Sequence, residues 1–477
     1  MSDWSRLNRR RFLSASSKIG LASLPLSSML LSACSSGKSD VALKKQSGLD
    51  GYGPLQPTRD ETTGLDLLRL PAGFRYRTFG WTGTPLQGGF FTPSAHDGMG
   101  VVRQLGRRVT LIRNHEVTHD RGAFGDPSQS YDPNGGGGCV AFEFDLDTAE
   151  VFAERCVLSG TAINCAGGVT PWGTWLSGEE VVFKGGNLID AMAVKLGRTG
   201  WQRDHGFLFE AHPDRPGPAV PIPAAGMFKH EAAAVHVASG IVYLTEDNNP
   251  EAGLYRLIPN EPGNLLAGGT LQMLRAKERR DLRRGIAPGA QFSVDWVDID
   301  DPTEGHSPGT YDGRGVFAQG FAKGGAQFTR GEGIVAHGDQ LWFTCTNGGD
   351  FERGQIFMLD VNTSRLTLIF EARSQDQLDM PDNLIVSPQG GLVICEDNDL
   401  GRAQKLVGMN QDGQVFDFCE SNVDLRGQNL PGIPAEDYRW EEWAGVCFSP
   451  DGQWMFANVY DPGFTVAITG PWKQGPL

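Results

Sequence analysis

Acidic and carboxamide side chains recur in this chain at one place in a repeating pattern. A glycine turn leads into a short apolar run, and the run ends on oxygen donors. The copies run from Gly106 to Asn114-His115-Glu116, from Gly173 to Glu179-Glu180 and from Gly240 to Glu246-Asp247-Asn248. Three more run from Gly338 to Asn347, from Gly390 to Glu396-Asp397-Asn398 and from Gly452 to Asn458. Carboxylates with carboxamide companions are the donors that a hard cation such as calcium collects, six to eight at a time. No ring of Lys or Arg matches these acids, so cations are the expected counter-charge. The sequence has no C-x-x-C pair, no G-x-S-x-G elbow, no phosphate-binding glycine loop with lysine and no calcium loop of contiguous acids. Any metal site must therefore be assembled from distant segments.

Short strands joined by turns are the elements that would bring such segments together. Gly is abundant, at 64 of 477 residues, and helical periodicity is scarce. Six loosely repeated strand units imply radial repetition, and so an all-β chain folded as a six-bladed β-propeller. Ahead of the glycine turns lie further polar or small groups: Cys165-Ala166-Gly167-Gly168, His230-Glu231-Ala232, Glu332-Gly333, Asp382-Asn383 and Trp443-Ala444-Gly445, with His96-Asp97-Gly98 as a sixth member. Small residues suit strands that crowd an axis, and the polar ones would line its opening. The wide interval from 246 to 347 predicts a partly helical insertion at roughly 260–325 holding the Arg-rich run Arg275 to Arg284.

The first residues read as an address. Arg9-Arg10-Arg11-Phe12-Leu13 resembles a twin-arginine export signal, followed by an apolar stretch too short to span a membrane. Leu31-Ser32-Ala33-Cys34 resembles a lipobox, with Cys34 as the lipidated residue. The expected organisation is a signal over 1–33, a polar tether over 34–50 and the propeller over 51–477, in a periplasmic or outer-membrane-anchored lipoprotein. Removing residues 1–33 leaves 37 Lys/Arg against 56 Asp/Glu, a net charge of −19. That balance excludes a nucleic-acid partner and suits divalent cations. Seven further cysteines lie mostly in apolar strand contexts, and Cys139 with Cys156 is a conceivable disulfide.

Residue for residue, Thr92 to Met99, Arg113-Asn114-His115-Glu116, Asn164 to Gly168, Thr170 to Trp175, His230 to Ala234, Thr245-Glu246-Asp247, Arg330 to Gly333, Pro381 to Leu384 and Phe448 to Trp472 resemble the PhoX family of secreted alkaline phosphatases. The resemblance spans essentially the whole chain after the signal. It implies a six-bladed propeller whose axial site holds calcium ions and an iron pair and cleaves phosphomonoesters at alkaline pH. On that reading Glu179, Glu246, Glu332 and Glu396 are the principal metal ligands, with Glu231, Asn347 and Asn383 in support. Asn114 and His115 are candidates for substrate contact, and neutralising Glu246 should lower metal content. The resemblance also implies an iron-ligating thiolate just before the paired glutamates, where this chain has Gly178. That glycine favours one alternative, a calcium-binding propeller that binds a ligand or partner without phosphatase activity, and a second is a calcium-only phosphodiesterase or lactonase at the same axial site. The expected partners are a small phosphorylated substrate and a lipid anchor in the membrane, with the chain acting as a monomer.

Overall fold

The computed structural model describes residues 51–477, apart from 121, 186–187, 190–199, 215–216 and 399–400. The signal, the tether and Cys34 lie outside the described residues. The chain is all-β with a propeller-like arrangement of antiparallel sheets, and its one α-helix among the described residues is Gly315–Ala322.

Each repeated sequence unit folds as an inner strand followed by a second strand. The inner strands are His96–Leu105, Asn164–Val169, His230–Val235, Gly331–His337, Pro381–Val386 and Trp443–Phe448. Their partners are Arg108–His115, Trp175–Glu179, Val242–Glu246, Gln340–Cys345, Leu392–Glu396 and Trp454–Val459. Gly106, Gly173, Gly240, Gly338, Gly390 and Gly452, which turn each inner strand into its partner, all have positive φ, the region that glycine enters without steric cost. The inner strands pack on one another in a closed cycle, the last against the first. Contact at the axis leaves no room for side chains: a Cβ on Gly168 would lie 1.8 Å from Ala233 O, and one on Gly98 would lie 2.5 Å from Ala166 Cα.

Registers repeat along with the strands. The first residue of each inner strand pairs with the last of its partner: His96 with His115, Asn164 with Glu179, His230 with Glu246, Gly331 with Cys345, Pro381 with Glu396 and Trp443 with Val459. Directly after that pair five of the inner strands have a β-bulge, and in Trp443–Phe448 the bulge comes one pair later, after Ala444 with Asn458. Bulges re-aim side chains and cluster beside functional sites. The chain ends are stitched into the sheets, with Arg75–Phe79 pairing with Phe464–Thr469 and Leu68–Leu70 with the strand Val415–Ser421. Trp443, Phe142, Phe343 and Phe418 are among the fully buried side chains of the cores between sheets.

The predicted insertion is only partly one. Gly269–Ala276 is the outer strand of its own sheet, and Gln291–Asp298 is an added strand that joins this sheet to Arg365–Glu371. The Arg-rich run is not helical: Arg275 lies in the strand Gly269–Ala276 and pairs with Asp295, and Arg279 donates to the Asp281 and Gly285 carbonyls. The disulfide is absent. Cys139 faces Leu158 while Cys156 faces Val140, and each thiol instead donates a hydrogen bond, to Asn114 Oδ1 and Leu158 O.

Candidate metal centre

The repeat places equivalent side chains in two tiers around the axis. The inner tier is the second residue of each inner strand, inside the bulge for Asp97, Cys165, Glu231, Glu332 and Asp382 and just before it for Ala444. The outer tier is the residue after each second strand: Glu116, Glu180, Asp247, Thr346, Asp397 and Tyr460. Its backbone N–H donates to the residue preceding the inner strand, to Ala95, Ile163, Lys229, Arg330, Met380 and Glu442 in turn, at 2.8 to 3.2 Å. Ala95, Ile163, Arg330 and Met380 hold positive φ there, between 41° and 56°, the tight corner that delivers the chain to the bulge.

Three buried donor clusters result. Asp97, Glu116 and Cys165 form one, Cys165, Glu180 and Glu231 the next, and Glu231, Glu332 and Asp382 the third, each with donor atoms within 4.8 Å of one another. Cys165 belongs to two clusters and Glu231 to two, so the three adjoin as a chain. Carboxylates buried this close repel unless protonated or neutralised by cations. A thiolate shared between two oxygen-rich sites suits a pair of transition metals, and the all-carboxylate third cluster suits calcium. The donor set therefore fits the two kinds of metal that the sequence resemblance implies.

The other predicted residues lie behind these tiers. Glu179, Glu246 and Glu396 are each one residue short of the outer tier, and strand alternation turns them away from it. Glu179 accepts from the Ala162, Gly206 and Phe207 amides and from His205. Glu246 accepts from the Gly253 amide and the Tyr255 hydroxyl, and Glu396 from the Asp379 amide. Burial lifts Glu246 to about 7 and Glu396 to about 8. Asn347 accepts from Thr329, outside the clusters. Asn383 lies beside Asp382, donating to its carboxylate at 3.0 Å and accepting from the Gly445 amide. Glu231 and Glu332 are thus the predicted ligands that the fold brings to the axis.

Asn114 and His115 are also framework. Asn114 donates to the Cys165 and Ala166 carbonyls and accepts from Cys139, Trp175 and Ser177. It is a strut from one second strand to the next inner strand. Thr245, Thr344 and Asn458, at the equivalent position, donate to the carbonyls of Glu332, Asp382 and Asp97. His115 has Nδ1 3.0 Å from Ser94 O, and burial together with Arg113 holds it well below the usual imidazole range.

Gly178 occupies that same strut position. A Cβ there would lie 2.8 Å from His230 Cβ and 3.2 Å from Glu231 O, facing the next inner strand. A side chain at 178 would have to displace His230, and Cys165 supplies a thiol to the clusters from the bulge.

The sequence reading passed over two residues. Arg330 is buried against the tiers, with Nη2 2.6 Å from Glu332 Oε1 and 3.8 Å from Asp397 Oδ2, and Nε 3.2 Å from Asp247 Oδ1. Its run Arg330-Gly331-Glu332-Gly333 was legible as a motif, but the positive φ that folds the guanidinium inward was not. Tyr460 is pushed well up by burial and by the nearby Glu116, Glu442 and Asp97 carboxylates, so it stays a neutral hydroxyl beside Glu116.

Behind Glu180, His205 lies between two carboxylates, 2.6 Å from Glu179 and 3.3 Å from Asp132. Burial alone would lower its pKa, but the two carboxylates outweigh it and hold the imidazolium to about 9. Because this exceeds the unfolded value of about 6.5, its stabilisation is complete below pH 6.5 and is lost as pH rises through 9. The melting temperature of the metal-free protein is expected to fall between pH 6.5 and 9, and His205→Gln should flatten that fall.

A profile of the alkaline phosphatase PhoX family matches residues 50–143 and 137–463. The chain resembles the structure of PhoX from Pseudomonas fluorescens in complex with vanadate, a transition-state analogue. The TM-score is 0.61 at 19% identity, covering 89% of this chain and 99% of that one. A gluconolactonase from Xanthomonas campestris aligns at TM-score 0.40 and 10% identity, covering 88% of this chain and 98% of that one. A putative 6-phosphogluconolactonase from Bacteroides fragilis aligns at 0.39 and 11%, covering 88% and 94%. Neither lactonase bears on the chemistry here. Among curated protein sequences none matches. With nearly the whole described chain matched, this protein belongs to the alkaline phosphatase PhoX family.

Proposed function

We propose that this chain is an exported phosphatase that hydrolyses phosphomonoesters at the axis of a six-bladed propeller. In this reading iron binds the two clusters that share Cys165, and calcium binds Glu231, Glu332 and Asp382. The observation that carries the proposal is the chain of three buried donor clusters linked through Cys165 and Glu231. The closed cycle of inner strands, each with its bulge, supports the count of six blades.

Cations bound in these clusters supply positive charge that offsets the acidic tiers and polarises phosphoryl oxygens. The chain's own residues do the rest. Arg330 brings a guanidinium among the carboxylates, where its planar fork suits two phosphoryl oxygens. Tyr460 offers a neutral hydroxyl from a sector where the inner tier has Ala444 and no competing charge. Past the bulges a cavity of about 420 Å³ follows the axis, lined by Ala166, Ala233, Gly333 and Leu384 among others. Its apolar walls support a reading in which the ionic chemistry lies at the bulge end. The lost thiol favoured a calcium-binding propeller without activity, and a thiol from Cys165 in two donor clusters supports the phosphatase reading over it.

Hydrolysis of an aryl phosphate at alkaline pH, with metal content measured on the same sample, tests the proposal. Turnover that a chelator abolishes, with both iron and calcium bound, supports it. Folded protein with bound metal and no turnover overturns it. Arg330→Lys is expected to lower kcat/KM about 100-fold and to weaken inhibition by vanadate, because an ammonium keeps the charge and loses the fork. Equal inhibition constants for both proteins would remove Arg330 from phosphoryl binding. Export and lipid attachment predict that Cys34→Ser abolishes radiolabelled palmitate incorporation in cells and leaves phosphatase activity intact.

A further inference from the structure

We propose that Glu179, His205 and Asp132 form a positioning relay that sets the Cys165–Glu180 part of the metal centre and leaves the Glu231–Glu332–Asp382 part independent. This rests on the metal reading above. The strand pair Asn164–Val169 and Trp175–Glu179 supplies both Cys165 and Glu180, and it is held differently from the others. Its sheet has three strands, closed by Leu208–Ala211, where the sheet beginning at His96 has four. Gly178 provides no strut to the next inner strand, in contrast to Asn114, Thr245, Thr344 and Asn458.

The relay grips the same pair from the opposite side. Glu179 Oε1 accepts from the Ala162 amide at 2.9 Å, while the adjacent Glu180 amide donates to Ile163 O at 2.8 Å. The chain entering Cys165 and the chain leaving Glu180 are thereby locked to each other. Glu179 Oε2 also holds the Gly206 and Phe207 amides at 2.8 and 3.1 Å. His205 bridges from Glu179 to Asp132, whose carboxylate receives the Asn134, Gln202 and Arg203 amides. All three side chains are fully buried, and the Tyr131 and Trp201 rings pack against the imidazole. Glu180 directly follows Glu179, the last residue of the strand, so a rotation that frees Glu179 also moves Glu180 in its cluster.

The test compares wild type with His205→Ala, His205→Gln and the milder Asp132→Asn, after circular dichroism melts establish folding. Cobalt(II) probes the thiolate cluster by its sulfur-to-metal absorption band, calcium titration probes the carboxylate cluster, and hydrogen exchange of metal-free protein reads the backbone. The relay predicts cobalt affinity 10–100-fold weaker in His205→Ala, the range for outer-shell partners of metal ligands. Calcium affinity should stay within about 2-fold. Exchange should rise about 10-fold or more at amides 162–165, 179–180 and 200–207 and not elsewhere. Added imidazole or the Gln variant should restore part of the cobalt affinity, and Asp132→Asn should fall between. Equal losses for cobalt and calcium, uniform exchange, or unchanged cobalt binding would overturn the relay. Wild-type protein that shows no thiolate band would overturn the metal reading itself, a result seen before any variant is compared.

Discussion

Cys165→Ser is expected to abolish phosphatase turnover by about 1,000-fold or more and to empty two metal clusters at once. Cys165 is the one residue shared by the Asp97–Glu116 pair and the Glu180–Glu231 pair. A neutral hydroxyl in place of a thiolate removes one negative charge and the only soft donor from both. Losing an outer-shell partner costs 10–100-fold, and losing one transition-state donor about 100–1,000-fold, so a shared direct ligand should exceed either. Iron content per chain and aryl-phosphate turnover check this together. Retained iron with lost turnover would place the thiolate in the chemistry without metal ligation. Gly178→Cys should not rescue Cys165→Ser. Its side chain would start 2.8 Å from His230 Cβ, and overpacking of that kind costs about 1–3 kcal/mol.

Glu231→Gln should strip metal from two clusters, whereas Glu246→Gln should leave metal content unchanged. Both glutamates belong to the same strand pair and both are fully buried. Glu231 lies in the bulge and is shared between the second and third clusters. Glu246 instead holds the Gly253 amide and the Tyr255 hydroxyl, and burial has already lifted it to about 7. Both partners donate to one oxygen, so a carboxamide oxygen there keeps their acceptor and replaces a group whose pKa is already about 7, and stability should change by about 1 kcal/mol. Calcium and iron content of the two variants, measured side by side, decides it. Equal metal loss in both would return Glu246 to the axis. This reverses the expectation drawn from sequence, in which neutralising Glu246 was to lower metal content.

The reversal shows which level of description each reading needed. The apolar runs, the six turn glycines and the acidic pairs at 179–180, 246–247 and 396–397 are all visible in the chain. Those features define strands, turns and the end of each strand at which acids collect. They do not say which acid of a pair faces inward, because a strand sends neighbours to opposite faces and one residue of register exchanges them. Register here is set by the pairing of first and last residues and by the bulge that follows, and both arise between strands. Asn114 looked like a substrate group because it is polar beside a histidine and a glutamate. Packing makes it a strut, since a buried carboxamide among five polar partners has none left for a ligand.

By itself the sequence determined an all-β chain of repeated strand units, a family, an acidic axis, and the presence of Glu231 and Glu332 at it. Local pattern carries that much, because turns, strand propensity and charge belong to neighbouring residues. The tertiary structure decided that Cys165 brings a thiol to the donor clusters, that Glu180 and Glu116 join them where Glu179 does not, and that Arg330 enters the carboxylate tiers. Each of those depends on bulges and positive-φ corners that aim side chains from separate segments at one axis. Such aim is a property of strands packed together, and no stretch of one strand contains it.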